Sequence, residues 1–175
     1  QQQSEEEFFD TLNVIVTKMR AVGIRVPIMI DADEWGQSER NILSVGNRLL
    51  QTDPEHNLLF SIHMWWPTDR HDAVVTGFET VEKRITGVLE KSVEKNLPLI
   101  VGEFAPVAAG GARSIPYKFI MAEAERLSIG WLAWSWGPGN FDSPDMDMTV
   151  HSSFNTLVGW GKEVAVDSPL GIQNT

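Results

Sequence analysis

Leu97-Pro98-Leu99-Ile100-Val101-Gly102-Glu103-Phe104-Ala105 is the stretch that decides the fold of this chain. Residues 97–101 are largely apolar and read as a strand buried on both faces. Gly102 lets the backbone pass close to a neighbour, and a carboxylate follows at once. Glu103 therefore stands where a buried parallel strand emerges at its C-terminal end. In α/β barrels that edge carries the chemistry, because the strands fix position while the loops vary. A carboxylate there can also cap the next helix or pair with an arginine. Neither role explains why it should end an apolar strand beside Phe104.

Working outward, helix and strand patterns alternate along the whole chain. Residues 5–22 carry an apolar stripe at Phe8, Phe9, Leu12, Ile15, Val16 and Met19, with Gly23 placed as a C-cap. Residues 24–30 read as a strand ending at Asp31, and 38–50 as a helix with Ile42, Val45, Leu49 and Leu50 on one face. A strand at 57–62 ends at His63. A long helix is expected over 72–95, with Val74, Phe78, Val81, Ile85, Val88 and Leu89 inward. Strand 97–102, helix 115–127, strand 129–135 and a last helix near 152–161 follow. Residues 1–166 form the expected catalytic-domain portion, and 167–175 a loose tail. Strand ends thus recur at Asp31, His63, Glu103 and Trp134, 32, 40 and 31 residues apart, which is the period of a βα repeat. The chain is α/β with a parallel sheet, either open and doubly wound or part of a (β/α)8 barrel. No Gly-x-Gly-x-x-Gly follows a strand, so the nucleotide-binding version lacks its phosphate loop. A complete barrel takes about 250 residues, so four strands make half of one.

Composition narrows the partners. A net charge of −10 without runs of lysine or arginine argues against nucleic acid and anionic membranes. No apolar run approaches the roughly 20 residues of a bilayer span. The absence of cysteine removes disulfides and thiolate metal sites. The polar start, Gln1-Gln-Gln-Ser-Glu-Glu-Glu7, carries no signal peptide and reads as a loop inside a longer protein. Seven tryptophans against one tyrosine fit faces that stack on sugar rings, or a core built of large residues.

Each strand end offers a functional side chain. His63, in Phe60-Ser-Ile-His-Met-Trp-Trp66, can donate to a substrate hydroxyl or orient a carboxylate, or sit satisfied in the core. Trp65 and Trp66 beside it favour a ligand-facing loop. In Gly130-Trp-Leu-Ala-Trp-Ser-Trp136, alternation places Trp134 and Trp136 on one face, as a sugar platform or as core. Asp31, Asp33 and Glu34 lack a specific metal-ligand spacing. Asp145 and Asp147 read as turn or cap residues, and His56, His71 and His151 as surface. No Gly-x-Ser-x-Gly elbow exists, so the surviving chemistry is carboxylate-based. Retaining glycoside hydrolysis needs two carboxyl groups about 5 Å apart, and Glu103 has no partner of equal quality in this chain.

Ile28-Met-Ile-Asp-Ala-Asp-Glu-Trp-Gly-Gln37, Leu59-Phe-Ser-Ile-His-Met64, Leu99-Ile-Val-Gly-Glu-Phe104 and Gly130-Trp-Leu-Ala-Trp-Ser-Trp136 together resemble glycoside hydrolase family 5, most of all its bacterial endo-β-1,4-mannanases and cellulases. The four segments fall in the order of that family's barrel strands five to eight. The resemblance implies a TIM-type (β/α)8 fold of which this chain supplies the C-terminal half, and retaining cleavage of β-1,4 bonds in cellulose or mannan. It implies that Glu103 is the nucleophile, that His63 lines the cleft, and that Trp134 lies beneath the sugar at the point of cleavage. Trp35 and Trp136 would serve flanking subsites. Trp65 stands where the family has a tyrosine that positions the nucleophile. No cofactor or metal is implied, and an extracellular, secreted protein is.

The family's acid/base glutamate would precede Gln1. The resemblance therefore implies that this chain alone is inactive and pairs with an N-terminal half barrel or with a second copy of itself. Two other readings remain: a non-catalytic sugar-binding half barrel, and a metal-dependent barrel hydrolase using Asp31, Asp33 and Glu103.

Overall fold

The computed structural model describes residues 3–68, 77–108 and 110–174. Strands β1 (Ile28–Asp31), β2 (Leu58–His63), β3 (Leu99–Phe104) and β4 (Gly130–Ala133) form one parallel sheet in the order β1-β2-β3-β4. That order decides between the two architectures. A doubly wound sheet reverses direction at a switch point, whereas here each strand lies beside its predecessor. Crossovers of one hand stepping in one direction put every helix on the same face. Burial agrees: Leu58, Phe60, Ile62, Leu99 and Val101 are buried on the helix side, while Met29 and Leu132 on the other face are 50% and 51% exposed. The sheet is half of a (β/α)8 barrel, with its inner face open among the described residues.

The helices are α1 (Glu5–Ala21), α2 (Glu39–Thr52), α3 (Val81–Glu94), α4 (Tyr117–Arg126) and α5 (Gly159–Lys162). The start of α1 is specified locally. Ser4 Oγ accepts from the Glu7 amide and the Glu7 carboxylate accepts from the Ser4 amide, with Glu5 to Glu7 on the positive end of the dipole and Lys18 and Arg20 at the other. None of the helices among the described residues is long and apolar enough to cross a membrane.

Several expected boundaries move. The first strand begins at Ile28 rather than at 24, because the Ile24 and Val26 carbonyls accept from Arg20 Nη1, each at 2.9 Å, instead of joining a ladder. Arg20 also grips Asp53 with two parallel bonds of 2.8 and 2.9 Å, both side chains being buried. The long helix expected from 72 starts at Val81, where Thr80 Oγ1 caps the Lys83 amide; His71, Val74 and residues 72–76 lie outside the described residues. The last expected helix is broken into a 3₁₀ turn (Phe154–Thr156), the single turn of α5 and a π-turn (Glu163–Asp167). The tail expected to be loose folds back, with the Ile172 and Gln173 amides donating to Val164 and Ala165 carbonyls.

Candidate active site

Strict alternation along β3 would put Glu103 on the buried side with Leu99 and Val101. A bulge prevents this. Val101 pairs with Ile62 and Trp131, but His63 pairs with Glu103 and Ala133 with Phe104, so β3 carries one extra residue against both neighbours. Val101 and Phe104 stay buried on the helix side, and Glu103 turns inward at the sheet's C-terminal edge. Gly102 makes the bulge possible. A Cβ there would lie 2.0 Å from Ser61 Oγ and 3.2 Å from His63 Cδ2.

His63 ends β2 and stands between two carboxylates. Its Nδ1 lies 3.2 Å from Glu103 Oε2 and its Nε2 lies 3.3 Å from Asp31 Oδ1. The ring is clamped by the β1–α2 loop, where Glu34, Trp35 and Gly36 all adopt positive φ. The His63 amide donates to Gly36 O at 2.7 Å, and a Cβ on Gly36 would fall 2.4 Å from the imidazole. Gly36 is therefore required twice, for its φ of 81° and for the close approach.

The two tryptophans after His63 part company. Trp66 is buried, donates from Nε1 to Gln37 O and lies under the Arg84 guanidinium, which pairs with Glu39. Trp65 faces the other way and donates from Nε1 to Glu103 Oε2 at 2.9 Å. Among the described residues both polar contacts on the Glu103 carboxylate fall on Oε2, which leaves Oε1 for a ligand. Trp134 meets Trp65 edge to face, with centroids 6.4 Å apart.

Glu103, Trp65 and Trp134 line a cleft of about 820 Å³ together with Gln37, Arg113, Asn140 and Phe141. That volume suits a few sugar rings. His63 touches Glu103 from beneath. Trp35 and Trp136 do not line the cleft: Trp35 caps the β1–α2 loop at 86% exposure, and β4 stops at Ala133, so alternation does not carry on to Trp136. Asp33 turns away from Glu103 to accept from Asn41, so Asp31, Asp33 and Glu103 do not converge. Among the described residues no three His, Cys, Asp or Glu side chains are grouped to hold a metal ion. Asn140 was not singled out by the sequence, and Asp147 only as a turn residue; both organise the β4 loop over the cleft. The Asn-to-Asp spacing in a Gly- and Pro-rich loop is the only sequence signal for them.

Comparison with known proteins gives a consistent picture. The family model described as Cellulase (glycosyl hydrolase family 5) matches residues 1–140. A mannan endo-1,4-beta-mannosidase from Cellvibrio japonicus is 29% identical over 163 residues, covering 91% of this chain and 34% of its own length. Among solved structures, a beta-mannanase from Thermomonospora fusca superposes with a TM-score of 0.82 at 28% identity, over 98% of this chain and 52% of the other. A beta-mannanase from Streptomyces thermolilacinus solved with mannohexaose gives 0.74 at 33% identity, over 93% and 49%. The chain thus spans between a third and a half of the length of these relatives.

Proposed function

Because the chain belongs to glycosyl hydrolase family 5, we propose that it supplies the nucleophile and the sugar platform of a retaining, secreted endo-β-1,4-mannanase. The observation that carries this reading is the setting of Glu103. It is a carboxylate at the C-terminal edge of a parallel sheet, with one oxygen held by an indole N–H and the other left for a cleft walled by a second indole. Attack by Oε1 on the anomeric carbon forms a glycosyl ester as the glycosidic C–O bond breaks and the leaving oxygen takes a proton from an acid. Water, deprotonated by the same group, then displaces Glu103 and restores the β configuration.

That acid must sit about 5 Å from the nucleophile. Among the described lining residues the other carboxylate is Asp142, exposed on the β4 loop. We assign the acid/base to a complementary half barrel, docked over Met29 and Leu132 and along the free edges of β1 and β4. A second copy of this chain would cover the same face but bring only another Glu103. Mannan is favoured by the names of the relatives; the family description keeps cellulose as the second reading.

The test is hydrolysis of soluble mannan and of carboxymethylcellulose by this chain, with and without an N-terminal half barrel from a mannanase. Turnover is expected only in the complemented sample, faster on mannan, and absent with Glu103→Gln. A complemented sample without turnover would overturn the reading, and equal turnover by the chain alone would overturn the split site. In the same assay Trp65→Phe keeps the ring and loses the N–H. A hydrogen bond to a charged group contributes about 1.5–3 kcal/mol, so kcat should fall about 10- to 100-fold. An unchanged kcat would deny Trp65 its hold on the nucleophile.

A further inference from the structure

We propose that Asn140 and Asp147 form a latch that sets the tilt of Trp134 and, through it, the hold on Glu103; the inference rests on the glycanase reading above. The chain leaving β4 doubles back on itself, with the Ser135 amide donating to Met146 O at 3.1 Å and the Met148 amide to Ser135 O at 3.0 Å. Asp147 sits inside this loop as its common acceptor. Its Oδ1 takes Asn140 Nδ2 at 2.6 Å and the Asn140 amide at 3.3 Å, and its Oδ2 takes the Gly139 amide at 3.3 Å. The fit against the backbone is close: a Cβ on Gly137, whose φ is 58°, would lie 2.6 Å from Asp147 Oδ1.

The polarity of the arrangement is fixed by chemistry. Asn140 Nδ2 donates to Asp147 and also to Ser135 Oγ at 3.0 Å, so both amide hydrogens are used. A flipped amide would turn its oxygen toward the Asp147 carboxylate and its N–H₂ toward the Trp134 N–H, opposing like groups at both ends. Oδ1 therefore points at Trp134 and accepts from its Nε1 at 3.1 Å. Trp134 is 40% exposed, so packing alone does not choose its rotamer, and this bond contributes the missing constraint. Its ring then abuts Trp65 at an interplanar angle of 76°, and Trp65 donates to Glu103. A carboxylate far from the chemistry thus acts along a continuous chain, Asp147 to Asn140 to Trp134 to Trp65 to Glu103. Asn140 and Asp147 are positioning residues on this account, since they act through Trp134.

The experiment uses Asn140→Ala and the near-isosteric Asp147→Asn, with exposed Asp145→Ala as the loop control. In the isolated chain, the near-ultraviolet circular dichroism of the Trp65–Trp134 pair is defined by the difference between wild type and Trp134→Phe. Both latch variants are expected to lose at least half of that difference with far-ultraviolet spectra unchanged, and the control to keep it. In the complemented barrel, loss of one hydrogen bond predicts a KM for mannohexaose raised about 5-fold by Asn140→Ala, with kcat lowered as well. Near-ultraviolet bands and KM that stay at wild-type values in both variants would overturn the latch. Should wild-type complementation give no turnover, the glycanase reading fails while the spectra still decide for or against the latch.

Discussion

A β-mannoside with a dinitrophenolate leaving group is expected to glycosylate Glu103 in the isolated chain, even where the same chain, as proposed, leaves mannan uncut. The two halves of retaining catalysis have different needs. Attack needs only an ionised carboxylate at the right distance, and Glu103 already has its orientation from Trp65 and His63. Departure of a sugar alkoxide needs a proton, a contribution of about 10²–10⁴-fold that a positioned acid makes. Dinitrophenolate leaves as a stable anion and bypasses that requirement. The second step, attack by water on the ester, draws its base from the complementary half on this proposal and should stall without it, so the adduct accumulates. Intact-mass and peptide-mapping spectrometry should find one hexose unit per chain on Glu103, and none with Glu103→Gln. An adduct at another site, or one that persists in the glutamine variant, would remove Glu103 from its role. Addition of the N-terminal half should then discharge the ester, and a half-life unchanged by it would contradict the assignment of the acid/base to that half.

Much of the architecture was legible because periodicity is written locally. The helical stripes of α1 and α2 and the apolar run of β3 follow from residue type alone, and strand ends spaced like βα units pointed to one parallel sheet. The choice of barrel over doubly wound sheet needed strand order, which is a long-range property; here the resemblance had already indicated it. What stayed hidden depended on contacts remote in sequence. The strand expected from 24 loses its first residues to Arg20, which takes carbonyls that a sheet would otherwise use. Alternation, the best local rule for strands, points Glu103 to the buried side. Only the Gly102 bulge, visible as a register shift against two neighbours, turns it to the cleft. The same rule paired Trp134 with Trp136, but β4 ends at Ala133 and only Trp134 reaches the cleft. Trp65 and Trp66 are identical in type and adjacent, yet one holds a carboxylate and the other packs under Arg84. Alternation continued from β2 puts Trp66 in phase with buried Phe60, Ile62 and Met64 and Trp65 in phase with His63, but the partners of both lie on other elements and are not written locally.

Replacing Asp53 by alanine is expected to lower stability by about 3–5 kcal/mol at neutral pH, because it strands the Arg20 guanidinium in a buried site. For a chain of this size that is a fall in Tm of about 6–20 °C. Asp53 and Arg20 join the α1–β1 and α2–β2 connections at the N-terminal end of the sheet, away from the cleft. The loss should therefore appear in denaturation midpoints and leave the geometry of Glu103 alone. The pair also carries a defined pH signature. Hydrogen bonds from Arg20, and then those from the Asn57 and Glu55 amides, outweigh the effect of burial and hold the Asp53 carboxyl at about 2, below its ordinary 3.8. A depressed carboxylate stabilises the folded state at pH values above the unfolded pKa, and that contribution disappears as pH falls through the folded one. The difference corresponds to on the order of 2 kcal/mol, fully present above about pH 5 and draining away toward pH 2. The other carboxylates titrate in wild type and variant alike, so subtracting the two denaturation curves isolates Asp53. The gap between wild type and Asp53→Ala should accordingly be constant from pH 7 to about pH 5 and then narrow by roughly 2 kcal/mol on further acidification. A gap of constant size down to pH 2 would mean that Asp53 has the same proton affinity folded and unfolded, and that Arg20 does not hold it as an ion pair.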